Sequence, residues 1–166
     1  MARVLLVDRV SFNRDITRFA LQYGGHEVIG EAEDGKEAVD LYVKFHPDLA
    51  ILEIITQKLT GIEVLSFIKK MDPSTKIIIC SSVTQSQVIR LSKVKGADSY
   101  IIKPFQIMSF LSEVNTVLGV AASNEALKRT GKTRVSEEDL ALISSRILTR
   151  TITPEELDAF IKEAHR

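Results

Sequence analysis

The sequence DLAILEI, residues 48–54, places four consecutive apolar residues directly before one carboxylate, Glu53. A short, continuously apolar run is typical of a parallel β-strand that is covered on both faces, because neither face then needs polar side chains. A charge that closes such a run lies where the strand leaves the core. The stretch therefore predicts a buried parallel strand that carries Glu53 at its carboxyl end.

Four similar runs flank this strand, and helical patterns separate them. The runs are RVLLV (3–7), HEVIGE (26–31), KIIIC (76–80) and DSYII (98–102). Apolar residues recur at helical spacing in residues 12–23 and 107–118, and glycine or proline marks most of the boundaries. This alternation predicts an α/β fold with a doubly wound, five-stranded parallel sheet and right-handed crossovers.

The composition narrows the class of protein. A chain of 166 residues can form one domain with a small appendage. Its formal net charge of zero provides no overall attraction to nucleic acid or to an anionic membrane. The single cysteine, Cys80, excludes a disulfide within the chain, and no apolar run approaches the length of a membrane span. We therefore expect a cytoplasmic protein, without a membrane partner and without nucleic acid as a favoured partner.

The pattern changes after residue 118. We expect a first domain over residues 1–118, a small, polar and basic linker over 119–135, and a helical hairpin over 136–166. SEED (136–139) and TPEE (153–156) have the form of capping boxes. Two short helices rarely fold alone. Their apolar stripes must therefore dock on the first domain, on a second copy or on another protein; the stripes are Leu140, Ile143 and Ile147, and Leu157, Phe160, Ile161 and Ala164.

Polar residues close most of the predicted strands. In an open parallel sheet, ligands bind at the carboxyl ends of the strands, so these residues are expected to meet in one crevice. They are Asp8 and Arg9 after strand one, Glu53 after strand three, Ser81 and Ser82 after strand four, and Lys103 and Pro104 after strand five.

Residues 3 to about 118 resemble the receiver domain of two-component response regulators. The resemblance rests on VLLVDR (4–9), PDLAILEI, Gly61, IIICSS and, most specifically, GADSYIIKPF (96–105). It implies the flavodoxin-like strand order 2-1-3-4-5. It also implies a site in which two adjacent acids hold Mg²⁺, an aspartate accepts phosphate, and a Ser or Thr, an aromatic residue and a Lys-Pro pair respond to phosphorylation.

This sequence matches that site unevenly. Asp8 keeps the first acid, whereas Arg9 replaces the second. Glu53 stands at the phosphoacceptor position, and Gln57 replaces a proline that is usual in the following loop. The residues of the switch are matched by Ser81, Tyr100, Lys103 and Pro104.

The departures predict a site without metal, cofactor or catalytic residue. The fixed charge of Arg9 would repel Mg²⁺, and the carboxylate of Glu53 reaches roughly 1.5 Å further than that of an aspartate. A misplacement of about 1 Å can slow a reaction on the order of 10²-fold. The charges of Asp8, Glu53, Arg9 and Lys103 cancel without a cation, so we expect Glu53 to pair with Arg9 and Lys103, within reach of Ser81.

The other candidate residues are expected to have structural roles only. The three histidines His26, His46 and His165 are isolated and are expected at the surface or at its boundary. Cys80 is expected to be buried in strand four. The basic group Arg90, Lys93 and Lys95 is expected to be a solvated helix face.

The favoured hypothesis is a non-enzymatic signalling module, a pseudo-receiver that acts independently of phosphorylation. It would bind a signalling protein or a second copy through the face formed by helix four, strand five and helix five, through the hairpin, or through both. One alternative is a phosphorylatable response regulator with an unusual active site. Another is a DNA-binding regulator with a miniature output domain, although the acids of the tail offset its bases.

Overall fold

The computed structural model describes residues 1–120 and 135–164. Five parallel strands form one sheet in the order β2-β1-β3-β4-β5. This confirms the predicted fold and strand order. The strands are β1 (Arg3–Val7), β2 (Glu27–Ala32), β3 (Leu49–Leu52), β4 (Lys76–Ser81) and β5 (Ser99–Ile102).

Helices cover both faces of the sheet, as expected for consecutive βα units with right-handed crossovers. Asp34 caps the second helix and Thr60 forms a capping box with Glu63 at the third, so each begins where the sequence offers a side-chain acceptor. The helices are α1 (Ser11–Tyr23), α2 (Gly35–Phe45), α3 (Gly61–Met71), α4 (Ser86–Val94), α5 (Ile107–Leu118), α6 (Glu137–Leu148) and α7 (Pro154–Ala164).

The sheet separates two apolar clusters, because successive side chains of a strand point to opposite faces. Leu5 and Val7 of β1 pack with α2 and α3, whereas Val4 and Leu6 pack with α1 and α5. The second of these clusters also contains residues of α6 and α7. The C-terminal helices therefore extend the core on the side of α1 and α5.

The hairpin of α6 and α7 docks on its own chain. Both capping boxes are present, from Ser136 at α6 and from Thr153 at α7. The predicted stripes are buried or partly buried in the cluster shared with α1 and α5. The rings of Phe160 and Phe19 meet edge to face with centroids 5.4 Å apart, and Ser144 Oγ accepts a hydrogen bond from the backbone N–H of Ile107 at 3.3 Å.

The division into residues 1–118, 119–135 and 136–166 stays a prediction. Residues 121–134 of the predicted linker and His165 lie outside the described residues. Within the described part of the chain, no helix is both long and apolar enough to cross a membrane.

Two residues outside the crevice test the structural interpretations. Cys80 is buried as predicted, and burial raises the pKa of its thiol to about 12. The prediction for His26 was wrong, because this side chain is only 6% exposed. Its Nδ1 accepts from the backbone N–H of Ala2 at 3.2 Å, and its Nε2 lies 3.2 Å from Asn115 Oδ1. The first residues of the chain and α5 together cover this ring, whereas His46 is exposed.

Candidate functional site

The register of the sheet brings the ends of its three central strands to one level. Val7 of β1 pairs with Leu52 of β3, and Leu52 pairs with Ile79 of β4. The residues that follow these strands must therefore lie side by side at the carboxyl edge. The crevice at this edge contains Asp8, Glu53, Ser81 and Lys103, as expected from the sequence.

Gly61 allows the chain to turn closely behind Glu53. The backbone N–H of Gly61 donates to the carbonyl of Ile54 at 2.9 Å. A Cβ atom at residue 61 would lie 2.2 Å from the carbonyl oxygen of Glu53, which no real side chain tolerates. Glycine is therefore required for α3 to begin directly beside the end of β3.

Lys103 bridges the two carboxylates of the crevice. Its Nζ lies 2.6 Å from Asp8 Oδ2 and 2.5 Å from Glu53 Oε2, and the side chains of the two acids are only 8% and 7% exposed. Burial alone would lower the pKa of Lys103, but hydrogen bonds and charges of Asp8 and Glu53 outweigh it and raise the pKa above its usual value. The lysine therefore stays positively charged.

The remaining oxygens of the two carboxylates also have donors. Glu53 Oε1 accepts from the backbone N–H groups of Ile54 at 2.7 Å and Ile55 at 3.1 Å, and from the hydroxyl of Ser81. Asp8 Oδ1 accepts from the backbone N–H of Val10 at 2.9 Å. Glu53 thus has an internal set of partners that a buried carboxylate requires.

Arg9 does not pair with Glu53, so that prediction was wrong. The arginine is exposed, and none of the ion pairs in the described part of the chain includes it. Lys103 reaches both carboxylates and is itself largely buried, whereas Arg9 is exposed. The cation that follows Asp8 nevertheless borders the same cavity as Asp8 and Glu53.

A short chain of hydrogen bonds leads from Glu53 toward β5. The hydroxyl of Ser81, which donates to Glu53, accepts from the backbone N–H of Val83 at 3.3 Å. The carbonyl of Val83 accepts from the hydroxyl of Tyr100 at 2.6 Å. Burial raises the pKa of Tyr100, so its phenol stays a donor. The site is therefore linked to a residue of the sheet edge that faces α4.

Pro104 borders the crevice, whereas Gln57 lies in the loop that follows β3. Pro104 follows Lys103 through a cis peptide bond and is exposed. Gln57 is exposed in the loop between β3 and α3, where its carbonyl accepts from the backbone N–H groups of Gly35 at 3.1 Å and Leu59 at 2.8 Å. Its backbone thus ties the loop to the start of α2.

Some residues around the crevice were missed from the sequence. Arg14 of α1 donates to the carbonyl of Asp8 at 2.6 Å and holds the end of β1. A cavity of about 390 Å³ opens beside Asp8 and Glu53, and its far wall includes Ile147, Arg150 and Ile152 of the hairpin. The capping box at 153–156 predicts where the turn between α6 and α7 lies but not the surface on which it docks, so the place of these three residues beside the crevice could be found only from the packed structure.

Comparison with known proteins assigns the chain to a family. The sequence pattern of the response regulator receiver domain matches residues 4–115. The chemotaxis protein CheY of Thermotoga maritima is 36% identical over 115 residues, which cover 69% of this chain and 96% of the relative. The chain therefore belongs to the response regulator receiver domain family of two-component signalling.

Two further relatives extend the comparison. The solved CheX–CheY–BeF3–Mg²⁺ complex from Borrelia burgdorferi is similar with a TM-score of 0.68 and 30% identity, covering 70% of this chain and 88% of that one. The transcriptional regulatory protein PdtaR of Mycobacterium tuberculosis is 28% identical over 152 residues, 90% of this chain and 68% of the relative. The second alignment is longer than the receiver match and so includes residues outside it.

Proposed function

We propose that the chain is an atypical receiver that signals by protein–protein contact, independently of phosphorylation and without enzymatic activity. Receiver domains act in signalling and not generally as catalysts, and the chain belongs to their family. We also propose a cytoplasmic location, since the only cysteine of the chain is a buried free thiol.

One observation carries the proposal: Lys103 bridges Asp8 and Glu53 in a closed network. In the family, the aspartate at the position of Glu53 would accept the phosphoryl group. Here that carboxylate is bound by Lys103, by the hydroxyl of Ser81 and by two backbone N–H groups. The groups that could stabilise an incoming phosphoryl group already bind an anion that belongs to the chain. Glu53 would therefore act as a permanent anion.

The donor set does not fit Mg²⁺. A magnesium site in proteins needs oxygen ligands in near-ideal octahedral geometry. The crevice has two carboxylates, both held by the lysine, and the cation Arg9 stands where the family has a second acid. No cluster of three metal-ligating side chains occurs in residues 1–120 and 135–164. Without the metal, phosphoryl transfer would lose the charge neutralisation on which it depends.

A protein partner would bind the face of α4, β5 and α5. Tyr100 connects this face to Glu53 through Ser81 and Val83. Large apolar side chains are exposed there, which is typical of interaction surfaces when they are contiguous. They are Leu91, Val94, Ile102 and Met108. The partner would be a signalling protein or a second copy of this chain.

Intact-mass measurement after incubation with a small-molecule phosphodonor and Mg²⁺ tests the proposal. We expect no gain of a phosphoryl group on the wild-type chain. A stoichiometric gain of one group would contradict phosphorylation independence and favour the alternative of a working response regulator.

A double variant and its two single variants test whether Arg9 and Glu53 are the cause of the lost Mg²⁺ binding. Arg9→Asp combined with Glu53→Asp returns the crevice to three carboxylates and shortens the phosphoacceptor, so calorimetric titration should detect Mg²⁺ binding. Neither single change should suffice, because Glu53→Asp leaves the cation and Arg9→Asp leaves the longer carboxylate. Absence of binding in the double variant would mean that other departures, such as Gln57, have altered the loop.

A second candidate function is transcriptional regulation. It is favoured by the alignment with PdtaR, a transcriptional regulatory protein, over 90% of this chain. Direct nucleic acid binding would weaken steeply with salt, because bound phosphates release their counterions. Fluorescence anisotropy with a labelled DNA duplex and a labelled RNA duplex, from 50 to 200 mM salt, distinguishes this candidate from signalling by protein contact. Tight, steeply salt-dependent binding would favour this candidate over the protein-contact proposal.

A further inference from the structure

A cavity of about 390 Å³ lies between the ends of β1, β3 and β5 and the turn of the docked hairpin. We call it the hairpin cavity. The bridged group of Asp8, Glu53 and Lys103 lines this cavity together with two arginines, Arg9 and Arg150. The apolar wall comes from α1, from the segment after β5 and from the hairpin, and includes Phe12, Ile16, Phe105, Ile147 and Ile152. Its volume falls within the range of small-molecule sites, about 300–1,000 Å³.

The charges of the hairpin cavity leave a positive excess. Asp8 and Glu53 share Lys103, so this group retains a single negative charge. Arg9 and Arg150 are both exposed, and neither has an ion-pair partner among residues 1–120 and 135–164. One positive charge therefore remains after the charged side chains of the cavity are balanced. A monoanion would neutralise it.

The end of α6 fixes the position of Arg150. This residue has a left-handed φ of 54°. Its N–H donates to the carbonyl of Ile147 at 3.1 Å, and the N–H of Thr151 donates to the carbonyl of Arg146 at 2.9 Å. Glycine is usual at this position of a helix ending, since a Cβ atom is unfavourable at positive φ. The helix ending therefore places an arginine, where glycine is usual, among the residues that line the cavity.

We propose that the hairpin cavity binds a small organic monoanion with an apolar body, such as an aromatic carboxylate. Arg9 and Arg150 would bind the anionic group, and the body would pack against Phe12, Phe105 and Ile147. A small inorganic anion would gain only the contacts to the arginines and would meet the carboxylates of Asp8 and Glu53. The inference goes beyond the proposed function, because it requires no protein partner and no phosphoryl chemistry.

Such a ligand would touch the strand ends and the hairpin at the same time. Its binding would therefore stabilise the docked position of α6 and α7, since a ligand stabilises the state that it binds. A partner that contacts the hairpin would therefore bind differently when the ligand is present.

Nuclear magnetic resonance titration of the full chain with three probes tests the proposal. The probes are 2-naphthoate, its neutral analogue 2-naphthylmethanol, and inorganic phosphate. We expect saturable shifts with 2-naphthoate, concentrated at the amides of Arg9, Phe12, Phe105, Arg150 and Ile152. The neutral analogue and phosphate should each bind roughly tenfold more weakly or worse, since each lacks one of the two kinds of contact.

Variants separate a built site from general affinity for a basic surface. Arg150→Gln and Arg9→Gln should each weaken 2-naphthoate binding roughly tenfold, the usual effect of losing a charge-assisted hydrogen bond. Arg150→Lys should retain most of the affinity. Arg90→Gln, which changes an exposed arginine of α4 outside the cavity, should leave it unchanged.

The proposal is overturned by any of three results. The first is the absence of saturable shifts for 2-naphthoate at the cavity amides. The second is equal affinity for 2-naphthoate and its neutral analogue, which would mean that the arginines do not select an anion. The third is a loss in Arg90→Gln as large as that in Arg150→Gln. None of these results bears on phosphorylation, so the proposed function and this inference are tested separately.

Discussion

Glu53 is a buried charge whose partners all belong to its own chain. Replacing it with glutamine keeps the shape but removes the charge that faces Lys103. Breaking a buried ion pair costs about 3–5 kcal/mol when the remaining charge is left alone. Because Lys103 retains Asp8, we expect Glu53→Gln to lower the free energy of unfolding by a smaller amount, about 1–3 kcal/mol. Urea denaturation at pH 7 measures it.

Asp40→Asn provides the matched control for that prediction. Asp40 also pairs with a lysine, Lys36, at 2.7 Å, but both side chains are about 60% exposed. An exposed pair contributes little, so this variant should differ from the wild type by less than about 0.5 kcal/mol. Equal losses of unfolding free energy in Glu53→Gln and Asp40→Asn would mean that the ion pair of the crevice stabilises the fold no more than an exposed pair does.

His26 makes the stability of the fold sensitive to acid. Burial, aided by the charge of the nearby amino terminus, lowers the pKa of His26 below its usual value of 6.5, although the hydrogen bond to Asn115 acts in the opposite direction. The unfolded chain therefore takes up this proton at a higher pH than the folded chain does. The contribution of neutral His26 is fully present above pH 6.5 and is lost as the pH falls from there through the lowered pKa.

We expect His26→Gln to flatten this dependence. Between pH 7 and the acid limb, the free energy of unfolding of the variant should fall less steeply than that of the wild type. Leu142→Ala is the control, because it changes an exposed side chain that carries no titratable group, and the pH slope of this variant should match the wild type. Urea denaturation at several pH values measures both slopes, and identical slopes in all three proteins would contradict the assignment.

The residues of the crevice show what could be predicted at this scale. The meeting of Asp8, Glu53, Ser81 and Lys103 follows from apolar runs that end in polar residues, a signal that lies in the sequence itself. The sequence does not show that Lys103, and not Arg9, is the partner of Glu53. The choice of partner depends on which cation can enter the crevice with little loss of hydration, and that follows only from the packed strand ends.

At the scale of elements, the sequence predicted local structure well. The first strand was expected at 3–7 and occurs as Arg3–Val7, and the last receiver helix was expected at 107–118 and occurs as Ile107–Leu118. Apolar runs, helical spacing and capping boxes are local signals, so they can be read without the fold. The docking surface of the hairpin was left open among three candidates, because complementarity such as that of Phe160 with Phe19 becomes visible only when the elements pack.

The hairpin should depend on the receiver for its structure. The apolar faces of α6 and α7 are buried in the cluster formed with α1 and α5. Isolated helices shorter than about 12–15 residues are marginal in water. A peptide of residues 135–166 should therefore be largely unstructured by circular dichroism. A cooperative thermal transition in the monomeric peptide would show that the tail is an independent domain.

Two substitutions in the full chain test the same dependence. Phe160→Ala removes a partly buried ring that packs on Phe19 and should lower the free energy of unfolding by about 1–3 kcal/mol, less than for a fully buried ring. Leu142→Ala changes a residue of α6 that is 61% exposed and should change stability by less than about 0.5 kcal/mol. Similar effects of the two would contradict the docked arrangement.

At the scale of the whole molecule, one apolar cluster joins the sheet to the hairpin. It contains residues of β1, β3 and β4 together with residues of α1, α5, α6 and α7. Elements that share a core lose their packing together, which is the physical basis of all-or-none unfolding in small domains. We therefore expect the receiver and the hairpin to unfold in a single transition, even though the family resemblance covers only the first of them.

Equilibrium urea denaturation with two probes checks this last prediction. Far-ultraviolet circular dichroism reports all helices, and a fluorinated phenylalanine at Phe160 reports the docking of the hairpin on α1. The two curves should have the same midpoint and the same slope, because the slope scales with the surface exposed in one common event. A fluorinated phenylalanine at Phe67 of α3, which packs in the cluster on the opposite face of the sheet, provides the receiver probe. If the Phe160 signal changes at lower urea than the Phe67 signal, the hairpin undocks before the receiver unfolds and the shared cluster does not act as one cooperative core.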